Sequence, residues 1–176
     1  MADFLENQRV GVLVDVSNLY HSARALYKGR VNFKSVLDEA VSGRQLIRAI
    51  AYVIAADVPE EKGFFEALKN TGFEVKSKDL QIFPGGVKKG DWDVGIAMDG
   101  VILAPKLDVL VLVTGDGDYV PFVSYLSKNR GVRVEVISFG RSTSQKLIEE
   151  ADSFLDLDKN PARFILSGNI RRSSRG

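Results

Sequence analysis

Arg9 to Val16 reads RVGVLVDV and Asp108 to Asp118 reads DVLVLVTGDGD. Both are short runs of valine and leucine without sustained polar alternation. That pattern belongs to strands buried on both faces of a parallel sheet. Each run ends in a turn that carries aspartate. Working outward, the residues between and after them alternate between apolar runs and helical stretches. Helices are predicted over Asn18–Tyr27 and Phe33–Val41, with a break at Gly29, and over Pro59–Lys69, closed by Gly72. Leu46–Ala55 is ambiguous by period and is read as a strand from its context. Phe73–Phe83 is read as a strand or short hairpin, and Pro84–Gly90 as a loop with two lysines. A helix over Asp91–Ala104 precedes the second quoted strand. Beyond it follow a helix over Tyr119–Lys128, a strand over Val132–Ile137, a helix over Ser142–Glu150 and an edge strand over Ser153–Leu157. Strands alternating with helices predict an α/β fold with a mostly parallel sheet and helices on both faces. One domain is expected over 1–166. The tail at 167–176, SGNIRRSSRG, is polar and arginine-rich and is expected to be disordered.

Composition narrows the chemistry. The chain has 176 residues, 45% hydrophobic and 27% charged, enough to bury a core without covalent staples. It contains no cysteine, which removes disulfides, thiolate zinc sites and cysteine nucleophiles together. No secretory signal is visible, and the apolar runs stop well short of the ~20 residues of a membrane span. The expectation is a soluble cytoplasmic protein with no membrane association. The net charge of +1 is the sum of an acidic cleft and a basic remainder.

In parallel α/β sheets, ligands bind beyond the carboxyl ends of the strands. The first quoted strand ends at Asp15, followed by Asn18. The second ends in Thr114-Gly115-Asp116-Gly117-Asp118. If the two strands are neighbours, three carboxylates share one rim, and Asp93, opening the helix after the lysine loop, is a fourth. Asp91 and Asp99 are further candidates, though Asp93 and Asp99 do not share a helical face. Clustered carboxylates repel and raise one another's pKa unless a cation fills the cluster. All-oxygen donors favour a hard ion, Mg²⁺ or Mn²⁺. Each acid also has a structural reading: Asp118 as a helix cap, Asp93 as a first-turn acid, Asp116 as a turn residue. Asp15, inside an apolar run, is the hardest to explain structurally. The lone His21 is left outside the mechanism, and Trp92 is read as core packing or a helix-entry contact.

Taken in order, Val-Asp-Val-Ser-Asn at 14–18, Lys-Gly followed by Asp93-Val-Gly-Ile-Ala-Met-Asp99, and Thr-Gly-Asp-Gly-Asp-Tyr at 114–119 resemble the NYN domain, in its LabA-like branch (domain of unknown function eighty-eight). The resemblance spans Val10 to Asp156. It implies a Rossmann-like, PIN-like fold and Mg²⁺- or Mn²⁺-dependent endoribonuclease activity. Residue by residue, it places the metal and catalytic set on Asp15, Asn18, Asp93, Asp99, Asp116 and Asp118. This chain has Asp91-Trp92-Asp93 after Gly90, where one residue usually separates the family glycine from its acid.

The function expected is hydrolysis of RNA phosphodiesters, with Asn18 and Thr114 orienting the aspartates and their water. RNA is the expected partner, gripped through its phosphates by Lys88, Lys89, Lys76, Lys78 and Arg141. Self-association into a homodimer is left open. The alternative is a non-catalytic regulatory module that binds metal, nucleic acid or a protein. A haloacid-dehalogenase-type phosphatase is disfavoured, because Ser17 stands where that chemistry needs a second aspartate. No Gly-x-Gly-x-x-Gly follows the first strand and no Walker A motif is present, which disfavours nucleotide-dependent classes.

Overall fold

The computed structural model describes residues 6–55, 61–79, 81–86 and 88–166, and of residues 61, 62, 88 and 89 the backbone alone. Pro59 and the tail at 167–176, expected to be disordered, lie outside these residues. The described chain runs β1 (Arg9–Asp15), α1 (Val16–Tyr27), β2 (Arg30–Val31), α2 (Phe33–Val41), β3 (Gln45–Ile54), α3 (Glu61–Thr71) and β4 (Glu74–Lys78). It continues through β5 (Gln81–Ile82), β6 (Lys88–Lys89), α4 (Asp93–Leu103), β7 (Val109–Val113), α5 (Val120–Arg130) and β8 (Arg133–Ser138). The last elements are α6 (Gln145–Glu150), β9 (Ser153–Asp156), α7 (Pro161–Phe164) and β10 (Ile165–Leu166).

Six strands make one all-parallel sheet in the order β4-β3-β1-β7-β8-β9. Successive side chains of a strand point to opposite faces, and the valine-rich runs exploit both. Val10, Val12 and Val14 of β1 join Val109, Val111 and Val113 of β7 in one core, under α1, α2 and Leu68 of α3. Leu13, Leu110 and Leu112 point the other way, into a second core closed by Ile96, Phe122, Leu126 and Leu147 of α4, α5 and α6. This is the α/β architecture with both faces covered. Each fully buried valine or leucine contributes roughly 1.5–3 kcal/mol.

A buried ion pair links the two halves of the sheet. Arg44, just before β3, makes a bidentate contact with Glu135 of β8, at 3.1 and 2.9 Å. Its guanidinium also donates to the carbonyls of Ala40 and Val41, at 2.8 and 3.1 Å, and so closes the C-terminus of α2.

The structure departs from the predicted elements at several boundaries. Pro84–Gly90 is not loop throughout: Lys88–Lys89 pairs antiparallel with Gln81–Ile82 as a small hairpin. Two-residue strands β2 and β10 also pair antiparallel and were not predicted. The helix expected from Asn18 begins at Val16, because Asp15 ends β1 and caps α1 with no loop between. The helices expected from Tyr119 and Ser142 are preceded by single 3₁₀ turns, Gly117–Tyr119 and Gly140–Ser142. None of the helices among the described residues is long and apolar enough to cross a membrane.

Candidate functional site

β1 and β7 are hydrogen-bonded neighbours at the middle of the sheet. The chain extends from β1 outward to β3 and β4, then returns through α4 to β7 and extends the other way to β8 and β9. The strand order therefore reverses between β1 and β7. At such a switch point the connections leaving the strands diverge and open a crevice. Asp15 and the 114–118 loop both lie at the carboxyl ends of these two strands.

Close packing fixes the loop. Ser144 N donates to the Gly115 carbonyl at 2.9 Å. A Cβ at Gly115 would stand 2.7 Å from the Ser142 carbonyl oxygen, and one at Gly117 would stand 2.7 Å from Ser144 Oγ. The two glycines of Gly-Asp-Gly-Asp are thus needed for close approach to the β8–α6 connection. Asp116 accepts from Asp118 N at 2.9 Å and starts the short turn. Asp116 caps this 3₁₀ turn, α5 itself carries no side-chain cap at Tyr119, and the exposed Asp118 carboxylate is left out of the capping considered for it from sequence.

Asp93, Asp116 and Asp118 come together: each offers an oxygen, and the three oxygens lie within 4.8 Å of one another. Asp93 opens α4, whose N-terminus favours a negative charge. Trp92 anchors that helix entry, its Nε1 donating to the Val53 carbonyl at 3.0 Å. Burial raises the Asp93 carboxyl above its ordinary value, and Asp91, Asp116 and Asp118 push it the same way against a hydrogen bond from Tyr119. Tyr119 is the residue that the sequence reading passed over, noting it only as a helix start and a motif end. Its buried hydroxyl donates to Asp93 Oδ1 at 3.0 Å. Burial and the charges of Asp15 and Asp93 raise its pKa, so it remains a donor. The signal available in sequence was its place directly after Gly-Asp-Gly-Asp.

Asp15 stands behind this group. Its Oδ1 accepts from Asn18 N at 3.3 Å, and its Oδ2 accepts from Thr114 Oγ1 at 3.2 Å. Thr114 Oγ1 in turn accepts from Asp116 N at 3.3 Å, and Asn18 Oδ1 accepts from Gly115 N at 2.9 Å. Asn18 and Thr114 therefore hold the loop after β7 to the end of β1. Burial pushes the Asp15 carboxyl up to about 6, with Asp93 and Asp116 adding to the effect. A raised carboxyl binds protons in the folded chain that the unfolded chain has released, so stability falls as pH rises between about 4 and 6. In chelator, Asp15→Asn is expected to remove roughly 2 kcal/mol of that decline, read from urea midpoints at pH 4, 5, 6 and 7. An unchanged pH profile would place the titration elsewhere.

Asp99 lies outside the group of three. It accepts from Tyr52 OH and Lys76 Nζ, both at 2.7 Å. Burial pushes its carboxyl up, but those two hydrogen bonds outweigh it and leave the group below the usual range. Of the expected basic rim, Lys76 is thus paired with Asp99, and Lys78 sits 4.5 Å from the centre of the Trp92 ring. Arg141 pairs with Asp158 at 3.2 Å and lies over Tyr27. Lys88 and Lys89 form β6, just ahead of Asp93 in the chain. The three clustered carboxylates and the half-buried Asp15 make an all-oxygen, acidic site compatible with a divalent metal.

Comparison with known proteins shows the family and the fold. A model of the NYN domain matches residues 9–158. The low amplitude and bright protein LabA of Synechococcus elongatus is 25% identical over 120 residues, 65% of this chain and 64% of that protein. The match thus covers less than two thirds of that relative's length. A crystal structure of a protein of unknown function from Vibrio parahaemolyticus superposes with a TM-score of 0.83 at 34% identity, covering 94% of this chain and 99% of the other.

Proposed function

The chain belongs to the NYN domain family, and from that premise we propose that it is a Mg²⁺- or Mn²⁺-dependent endoribonuclease that hydrolyses RNA phosphodiesters at its aspartate cluster. The observation that carries the reading is the convergence of Asp93, Asp116 and Asp118 at the β1/β7 switch point, with Asp15 behind them. These three carboxylates would hold the ion, which would supply Lewis acidity for phosphodiester hydrolysis. Asp15, Thr114 and Asn18 keep the loop after β7 in register with β1, so that Asp116 and Asp118 face Asp93. Tyr119 fixes the Asp93 carboxylate from below. RNA phosphates would be drawn to Lys88 and Lys89 on the hairpin ahead of Asp93, and to Lys76, Lys78 and Arg141 once these exchange their present partners for phosphate.

The test is incubation of the purified protein with end-labelled single-stranded and hairpin RNA in Mg²⁺, Mn²⁺ or chelator. The expected result is internal cleavage with either ion and none in chelator. RNA binding without cleavage under every metal condition would overturn the nuclease and support the non-catalytic regulatory module. A metal-affinity prediction accompanies it. Tyr119→Phe removes the hydrogen bond that orients Asp93 and is expected to weaken Mn²⁺ binding roughly 10–100-fold by titration calorimetry. Unaltered affinity would reduce Tyr119 to a packing residue.

A further inference from the structure

The outward face of α4 carries no charge. Val94, Met98 and Ile102 follow one another a turn apart and are 76%, 53% and 65% exposed. Half-buried Ala97 and Val101 lie beside them, and exposed Pro105 continues the line. The opposite side of the same helix is apolar too: Ile96 and Leu103 are in the second core, and Gly100 is so close to Phe122 that a Cβ would stand 2.3 Å from its ring. Apart from Asp93 and Asp99, which are held by Tyr119, Tyr52 and Lys76, the helix is apolar on both its inner and its outward face, and such a helix is built to be covered on both. The outward sides of α1, α2 and α5 instead bear Arg24, Lys34 and Lys128. A contiguous exposed apolar stripe marks a contact surface.

We propose that this stripe is the interface of a homodimer, in which two copies of α4 pack antiparallel about a twofold axis near Met98. The charges flanking the stripe favour a second copy over a different partner. Exposed Asp91 lies seven residues before Met98, and exposed Lys106 lies eight residues after it. A twofold through Met98 sets Val94 of one copy opposite Ile102 of the other, and Asp91 of one beside Lys106 of the other. The surface is therefore complementary to itself in both apolar contact and charge, as an isologous interface requires. The two helix dipoles also run antiparallel, which is the favourable sense. The inference is independent of RNA cleavage: either can fail without the other.

Sedimentation velocity of the native chain over a concentration series is expected to show twice the chain mass. Met98→Glu is expected to raise the dimer dissociation constant about 30-fold or more, the effect of a residue central to an interface, with an unchanged circular dichroism spectrum. Lys106→Asp weakens the dimer, and adding Asp91→Lys restores it. Because the chain has no cysteine, Met98→Cys supplies a single thiol. Mild oxidation should join two copies through it, while a Glu149→Cys control on α6 stays unlinked. A native chain that remains monomeric at about 100 µM, or Met98→Glu sedimenting as an unaltered dimer, would overturn the assignment.

Discussion

Asp116→Asn is expected to lower metal-dependent RNA cleavage about 100-fold or more while raising the melting temperature measured in chelator. The first effect follows from removing one of the three carboxylates proposed to hold the ion. Even residues that only orient metal ligands cost 10–100-fold when lost, so a ligand should cost at least as much. The second follows from like-charge repulsion: burial is the main cause of the raised Asp15 and Asp93 carboxyls, and the Asp116 charge pushes both the same way. Asparagine keeps a side-chain oxygen for the Asp118 N–H and suits the same turn, so the loop is preserved. Relief of about 1 kcal/mol would raise the metal-free melting temperature by about 2–4 °C in a chain of this size. The opposite pair of results, a lower melting temperature with cleavage intact, would make Asp116 a turn residue and nothing more.

Arg44→Ala is expected to be the most destabilising single substitution away from the site, by about 3–5 kcal/mol in urea denaturation. It leaves the Glu135 carboxylate buried, with Arg133 the remaining cation paired to it among the described residues, at 3.1 Å. It also strips the donors from the Ala40 and Val41 carbonyls at the end of α2. The double replacement Arg44→Leu with Glu135→Leu removes both charges, and its cost should be far smaller than that of either single change. A loss below about 1 kcal/mol for Arg44→Ala would show that water or Arg133 replaces the pair.

The sheet was legible because its central strands are buried on both faces, and that requirement writes itself as uninterrupted valine and leucine in β1 and β7. The position of the acids at strand ends marked the candidates, but the β1/β7 adjacency entered only as a condition, and it is the pairing of the two strands that meets it. What was not legible depended on contacts between distant segments. Lys88–Lys89 has no apolar alternation to mark a strand, and it becomes one only through pairing with Gln81–Ile82. Asp99 was a ligand candidate by motif, but its partners Tyr52 and Lys76 come from β3 and β4, whose placement over α4 no local pattern encodes. The choice between cap and ligand for Asp118 was likewise undecidable from spacing. It turned on which of two aspartates accepts the turn's N–H. Trp92 followed its expected structural role, joining α4 to the end of β3.

The direct passage from β1 into α1 limits how the domain can be re-engineered. Asp15 is at once the last residue of the strand and the cap of the helix, so this connection has no slack. One inserted residue would turn the start of α1 by about 100° and swing Asn18 away from Gly115, unfastening the loop on the far side of the crevice. Grafts and tags therefore belong away from this junction and from the crevice it braces. A library of single-residue insertions should show its sharpest intolerance at the 15/16 junction, where no loop is present to absorb them.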